Sequence, residues 1–364
     1  MKSFSLVNLL IFIAGLLGGY FLYPQEIHHF LDFNPSQSAR TIPDYNKITL
    51  KNCAPRDEKH GENWLGNDFE EALAKNFATV SQVFQQEKID DDSGINIYMR
   101  GYFQWSPPFP NHKRINLAYV FYPLFFSHYD AAKISQRDRI TTTDNGYLQV
   151  FFDEMQFYDA IAVASETYAK KMKDAGFKAY YVPQFTNPNR FYPEYDENIK
   201  SEILFIGSRP QFRRAPMIVY HHQLPITIYG PESDGLAKAE YIDNNELHKY
   251  YSSAKIVLND TRADMRQHGF INNRLFDVTA SGGFLISDYM PEIEKNYGDC
   301  VPMWKTEEEL VKLVKYYLAP EHKAERLAKA KCAREITLKN FTADIAVQKF
   351  VRIIDDIKRK KGIK

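Results

Sequence analysis

Residues 244–287 read NNELHKYYSSAKIVLNDTRADMRQHGFINNRLFDVTASGGFLIS, and the fold class turns on how they are patterned. Asn244–Ser253 has the character of a helix, and Lys255–Leu258 is a short apolar run of strand type. Asn273–Ala280 is a second helix, closed by Gly282-Gly283, and Phe284–Ser287 a second strand. Strands that alternate with helices imply βαβ units and a parallel sheet covered on both faces.

Upstream, Ile203–Ile206 is a strand ending in Gly207-Ser208, and Ile226–Tyr229 another ending in Gly230. An earlier round precedes them. It runs from Lys47–Asn52 through a loop with Gly61 and Gly66, a helix over about Asp68–Asn76, and strands at Thr79–Phe84, Ile95–Arg100 and Ile115–Tyr122. Asp159–Ser165, the helix Glu166–Ala175 and Ala179–Pro183 complete it, while Gln136–Asn145 and Phe151–Tyr158 resist assignment. The rounds meet near residue 190, around Asn187-Pro-Asn-Arg-Phe-Tyr-Pro193. Two doubly wound domains are therefore expected, with ligands outside the carboxyl ends of the strands, in the cleft between them. Neither first strand is followed by GxGxxG, and there is no Walker A lysine motif, so a nicotinamide, flavin or P-loop role has no support.

Composition narrows the function classes. The 364 residues carry 46 basic and 46 acidic side chains, and this balance argues against a nucleic-acid partner. An aromatic content of 15% argues against disorder. Cys53, Cys300 and Cys332 lie far apart with no CxxC, so small half-buried thiols are expected rather than a disulfide framework or a zinc site.

The amino terminus departs from this globular pattern. Phe4–Tyr23 holds no charged residue, long enough to cross a bilayer core of about 30 Å. A cleaved signal peptide would end at a small-residue site, whereas this run ends Tyr-Phe-Leu-Tyr-Pro. An uncleaved anchor is the expectation, and Gly15 and Gly19 form one GxxxG along it. Lys2 before the segment favours the amino terminus inside and the bulk of the chain outside. Against that, Lys358-Arg359-Lys360-Lys361 suits either an anionic cytoplasmic leaflet or a solvated helix end. The prolines of residues 25–46 read as a tether.

The block 250–290 resembles the CgeB-like (spore protein type) glycosyltransferases, within the GT-B group of nucleotide-sugar transferases. The likeness extends to Cys53-Ala-Pro-Arg56, to Pro183-Gln184 and Asn189-Arg-Phe-Tyr-Pro193, and to Leu204-Phe-Ile-Gly207, covering most of residues 47–335. It implies an α/β GT-B fold of two Rossmann-like domains facing a cleft, here preceded by the transmembrane helix. The expected division is an anchor at 1–24, a linker at 25–46, an acceptor domain at 47–190, a nucleotide-sugar domain at 191–340, and a helix with basic tail at 341–364. The last helix, Ile345–Lys358, is expected to pack back on the first domain.

The resemblance also implies roles. In the wider group an acid five residues before a glycine binds the ribose hydroxyls, and Asp277 holds that place before Gly282. Retaining members have a second acid eight residues earlier, where this chain has Gly269, so retention and inversion both stay open. His268-Gly269-Phe270 is expected to offer backbone N–H groups to sugar or phosphate instead. Gly207-Ser208-Arg209, with Arg213 and Arg214, suits a diphosphate, since glycine allows close approach and guanidinium binds phosphate in fork geometry. Arg266, Asn273 and Arg274 are further donor-site candidates. No metal and no cofactor beyond the nucleotide-sugar co-substrate is expected, and Asp90-Asp-Asp92 reads as a solvated turn. A base for the acceptor hydroxyl would come from the loop holding Asp57, Glu58 and His60, with His60 and Asp57 preferred. Trp64, Tyr102, Phe103 and Trp105 would stack on acceptor sugars or pack in the core.

The favoured function is thus transfer of a sugar from a nucleotide donor to a glycan, lipid-linked or protein acceptor. The alternative is a saccharide-binding envelope protein of the same fold without catalysis. The catalytic part is expected on the cytoplasmic face, with a lumenal or extracytoplasmic placement as the alternative. Asn259-Asp-Thr261 and Asn340-Phe-Thr342 match the glycosylation pattern, but Asn259 ends a buried strand and both are taken as chance.

Overall fold

The computed structural model describes residues 43–56, 60–84, 87, 92–101, 113–123 and 158–363. The expected anchor and most of its tether, together with Asp57, Glu58, Asp90, Asp91, Tyr102, Phe103 and Trp105, lie outside the described residues. Among the described residues no helix is long and apolar enough to cross a membrane.

The first sheet holds β1 (Asp44–Lys51), β2 (Thr79–Val83), β3 (Ser93–Arg100), β4 (Ile115–Val120), β5 (Ala160–Val163) and β6 (Ala179–Tyr181). It runs parallel throughout in the order β2-β1-β3-β4-β5-β6. Every residue of β3, β4 and β5 is buried, as expected where both faces are covered. Helix α1 (Gly61–Leu73) starts a full turn and more before the expected Asp68. Its two glycines suggested a loop, but Gly66 serves close packing. A Cβ there would fall 2.0 Å from Gln82 Oε1 and 2.7 Å from Asn52 Nδ2, so a side chain at 66 would displace the pair of amides that bond to each other beneath the helix. Helix α2 (Glu166–Asp174) is capped by Ser165, whose hydroxyl accepts from Tyr168 N.

The second sheet combines β7 (Ser201–Ile206), β8 (Ile226–Tyr229), β9 (Ala254–Asn259), β10 (Leu285–Asp288) and β11 (Met303–Trp304). Its order is β11-β10-β9-β7-β8, again all parallel. The helices α3 (Arg214–His221), α4 (Leu247–Ser253), α5 (Ala263–Gln267), α6 (Asn273–Ala280), α7 (Pro291–Tyr297), α8 (Glu307–Leu318) and α9 (Lys323–Asn340) surround it. A capping box between Thr306 and Glu309 starts α8.

The chain then returns to the first domain as α10 (Ala343–Lys361), in line with the expected closing helix. Thr342 caps its start, and Gly362 ends it in the left-handed region at φ 67°. Its apolar stripe, including Val347, Phe350 and Ile354, belongs to the first domain's core. The Phe350 ring lies 4.9 Å from Phe69 and 5.2 Å from Tyr119, centroid to centroid.

The cysteine expectation needs correction. Cys300 and Cys332 form a disulfide with Cα atoms 5.6 Å apart, and only Cys53 is a free buried thiol. The packing of α9 against the turn after α7 brings the pair together across 32 residues, a proximity no local spacing announces.

Phe350 is fully buried and supplied by the last helix, so Phe350→Ala should destabilise the chain by about 3–5 kcal/mol. A lowered urea midpoint would register this. An unchanged midpoint would mean that α10 adds little to the first domain.

Candidate active site

In the second sheet β7 neighbours both β8 and β9, and the winding reverses between β7 and β9. A crevice opens outside the carboxyl ends at such a switch point. Gly207 follows β7 there, and Asn259 and Asp260 stand at the end of β9.

Arg274, from the first turn of α6, lies across this opening. Its Nη1 donates to Asn259 Oδ1 at 3.3 Å, and its guanidinium carbon sits 4.9 Å from the centre of the Phe205 ring. A Cβ on Gly207 would fall 2.6 Å from Arg274 Nη2, so the glycine leaves the guanidinium its place. Arg213 is its cationic neighbour. Burial first, then the charge of Arg274, draws the Arg213 pKa down. Among the described residues the Arg213 side chain has no hydrogen-bond or ion-pair partner.

Two other arginines are engaged. Asp260 directly follows β9 and Asp288 ends β10, at 4% and 1% exposure. Arg214 lies 3.5 Å from the first and 3.6 Å from the second, and Arg266 Nη1 lies 3.0 Å from Asp288 Oδ2. Asp260 also accepts from Ala215 N at 3.2 Å, occupying an N–H group at the start of α3. Burial, and then the charge of Asp260, push the Asp288 pKa up.

Asp277 sits one turn along α6 from Asn273 and Arg274, at 6% exposure. Its Oδ1 accepts from Thr186 Oγ1 at 2.7 Å, and its Oδ2 from Asn273 Nδ2 at a longer 3.3 Å. Burial lifts its pKa from 3.8 to about 7, although Arg190 and the Thr186 bond pull the other way. Gly282, at φ 74°, allows the chain to turn off the helix five residues later.

These α6 residues line a cleft of about 600 Å³, open in part to solvent. Gly61, Trp64 and Asp68 of α1 form its opposite wall, with Arg190 of the interdomain linker. Arg190 forks onto Asp68 through Nε and Nη2, and its guanidinium carbon stacks 4.3 Å from the Phe191 ring. Thr186, Arg190 and Asp68 were not singled out from the sequence. Arg190 lay inside the 187–193 segment that was read only as a joint.

Other expected donor residues lie elsewhere. Ser208 and Arg209 are exposed, and Arg209 Nε pairs with Glu232 Oε2 at 2.7 Å. The N–H groups of His268, Gly269 and Phe270 are used within the α5 turn, bonding to Met265 and Arg266 carbonyls at 2.9–3.2 Å. They are not available to a sugar or phosphate. This segment instead docks the two domains. Ser165 Oγ donates to His268 O at 2.6 Å, and Phe270 packs edge-on against Tyr168 with centroids 5.1 Å apart. Thr167–Glu292 at 2.7 Å and Glu166–Lys295 at 2.6 Å extend the contact along α2 and α7. His60 is the N-cap residue of α1, next to Gly61 in the cleft wall.

Residues 211–352 match the profile of a family described as glycosyl transferase-like (Glyco_trans_1_2). No curated protein sequence matches the chain. Among solved structures it is similar to sucrose-phosphate synthase (tll1590) from Thermosynechococcus elongatus, with a TM-score of 0.60 and 13% identity over 86% of this chain and 99% of that one. Anabaena Alr3699/HepE in complex with UDP and glucose gives 0.57 and 10% over 85% and 99%. A glycosyltransferase from Rickettsia africae ESF-5 gives 0.58 and 9% over 86% and 99%. At these identities the likeness establishes the fold. It is α/β, of two domains with parallel sheets, and GT-B-like.

The Asp277 pKa has a thermodynamic consequence. An acid raised from 3.8 to about 7 holds a proton in the folded chain that the unfolded chain has already released. Its contribution to stability therefore falls as pH rises through that window. Asp277→Asn should lose this slope, so its urea midpoint should decline less than the wild type's between about pH 4 and pH 7.5. Parallel curves for the two proteins would show that Asp277 does not titrate there.

Proposed function

We propose that the protein is a glycosyltransferase of the CgeB-like kind, moving a sugar from a nucleoside-diphosphate donor to an acceptor hydroxyl. The acceptor would be a glycan, a lipid-linked saccharide or a protein, in surface polysaccharide or glycoconjugate synthesis. The observation that carries this reading is the pair Arg213 and Arg274 at the switch point, with Asp277 across the same opening. The glycosyl transferase-like match over residues 211–352 supports it. So does the likeness to HepE, whose structures include complexes with UDP and UDP-glucose.

In this reading Asp277 accepts the ribose hydroxyls, and Arg213 and Arg274 meet the diphosphate. The acceptor oxygen attacks the anomeric carbon while the bond from that carbon to the phosphate oxygen breaks. The leaving diphosphate takes the electron pair, and its charge grows where the guanidinium groups already stand. Charge-assisted, fork-shaped bonds suit the task without a metal ion. His60, beside Gly61, takes the proton from the acceptor hydroxyl, with Asp57 a second candidate in the same loop.

The Phe4–Tyr23 segment would anchor the enzyme in a membrane. Thiol counting distinguishes the two faces, because disulfides persist in oxidising compartments. Protein denatured and alkylated directly from its own membrane would show one reactive cysteine if the domain faces a lumen or the exterior, and three if it faces the cytoplasm.

A thermal-shift screen with UDP, GDP, ADP, CMP and dTDP tests the main reading. A nucleotide at about 100 times its dissociation constant should add about 2.7 kcal/mol of stability. One nucleotide is expected to raise the midpoint, and Arg213→Ala and Arg274→Ala should each greatly reduce that shift. Binding of oligosaccharides with no response to any nucleotide would instead support the saccharide-binding alternative.

A further inference from the structure

The chain crosses between the domains twice, and the two crossings are bonded to each other. Thr186 N donates to Phe341 O at 2.9 Å, and Ala343 N donates to Thr186 O at 2.9 Å. Thr186 pairs with Thr342 as a parallel bridge. With no solvent exposure, its backbone is thus fixed by the α9–α10 crossover. Its hydroxyl points the other way, into α6, and donates to Asp277 Oδ1 at 2.7 Å.

The residues that follow hold the opposite domain. Asn187 Nδ2 donates to Asp68 Oδ1 at 3.0 Å and to Glu71 Oε2 at 2.8 Å, and Arg190 closes on Asp68. One short segment therefore touches the acid of α6 and the acids of α1 within five residues.

We propose that Thr186 is a positioning residue for the donor: its hydroxyl occupies Asp277 Oδ1, turns Oδ2 toward the cleft, and ties that orientation to the joint between the domains. The inference rests on the reading that Asp277 binds the ribose. A carboxylate torsion is broad when nothing restrains it, and one strong bond to one oxygen leaves the other to the ligand. Asn273 holds Oδ2 only at 3.3 Å, a contact that ribose hydroxyls can replace.

The same bond contributes to the charge of the carboxylate, against the burial that chiefly raises its pKa. Arg190 from the linker and Arg274 from α6 favour ionised Asp277, Asp68 from α1 opposes it, and Tyr251 of α4 packs nearby. A donor hydroxyl favours the ionised form, so its loss raises the pKa further and depletes the carboxylate near neutrality.

Isothermal titration of the full chain with whichever of UDP, GDP, ADP, CMP and dTDP raises its thermal midpoint, at several values between about pH 5.5 and pH 8.5, tests this. Thr186→Val keeps the backbone bridge and the shape of the side chain but removes the donor. Its affinity should fall about tenfold at neutral pH, the scale of a hydrogen bond to a charged group, and its pH midpoint should move upward. Thr186→Ser should restore both. Thr186→Ala serves if the valine variant does not fold. Unchanged affinity and midpoint in the variant, with binding lost in Asp277→Asn, would overturn the role of Thr186 and leave the donor reading intact. Wild-type affinity in Asp277→Asn, or binding of none of the five nucleotides by the wild type, would remove the reading and the proposal together.

Discussion

A carboxylate enclosed between two domains constrains the surrounding structure. Desolvation opposes its charge, so an ionised Asp277 needs donors and nearby cations. Thr186 supplies a donor from the linker, and Arg190 and Arg274 supply positive charge from either side. Each of these has duties of its own. Arg190 grips α1 through Asp68, and Thr186 is bonded to the second chain crossing. The acid therefore cannot move without disturbing the contacts that set the domains against each other.

Charge is divided unevenly at the mouth of the second sheet. Asp260 and Asp288 engage Arg214 and Arg266, while among the described residues neither Arg213 nor Arg274 closes an ion pair with a carboxylate. Buried acids of this kind are costly to desolvate and are justified only when well bonded. Here Asp260 accepts from Ala215 N, Asp288 accepts from Thr261 N and Arg266, and Arg214 lies 3.5–3.6 Å from both, beneath the cations above.

The fold was legible because its signals are local. Short apolar runs such as Ile95–Arg100 and Ile203–Ile206 fall close to β3 and β7, and their alternation with helices implied parallel sheets. Gly66 misled, since its reason is close packing across sheet and helix, which lies outside any sequence window. Of the candidate site, the sequence offered Asp277 by its place five residues before Gly282, with Asn273 and Arg274 beside it, and the structure brings the three to one cleft. Arg209 meets Glu232 and the His268 carbonyl meets Ser165, partners set by loop geometry and domain docking that no sequence window shows. Arg190 and Thr186 are polar residues in a connecting segment, and only the meeting of distant chain segments gives them a task.

The placement of α10 bears on the order in which the molecule comes into being. During synthesis the amino-terminal sheet emerges first, yet Val347, Phe350 and Ile354 complete its core from the far end of the chain. Most of the carboxyl-terminal domain lies between these parts and can close around its own strands earlier. The earlier-made of these two domains is thus the later to be finished, and it stays unsealed until α10 has been made. Losing a few turns of α10 would open the first domain.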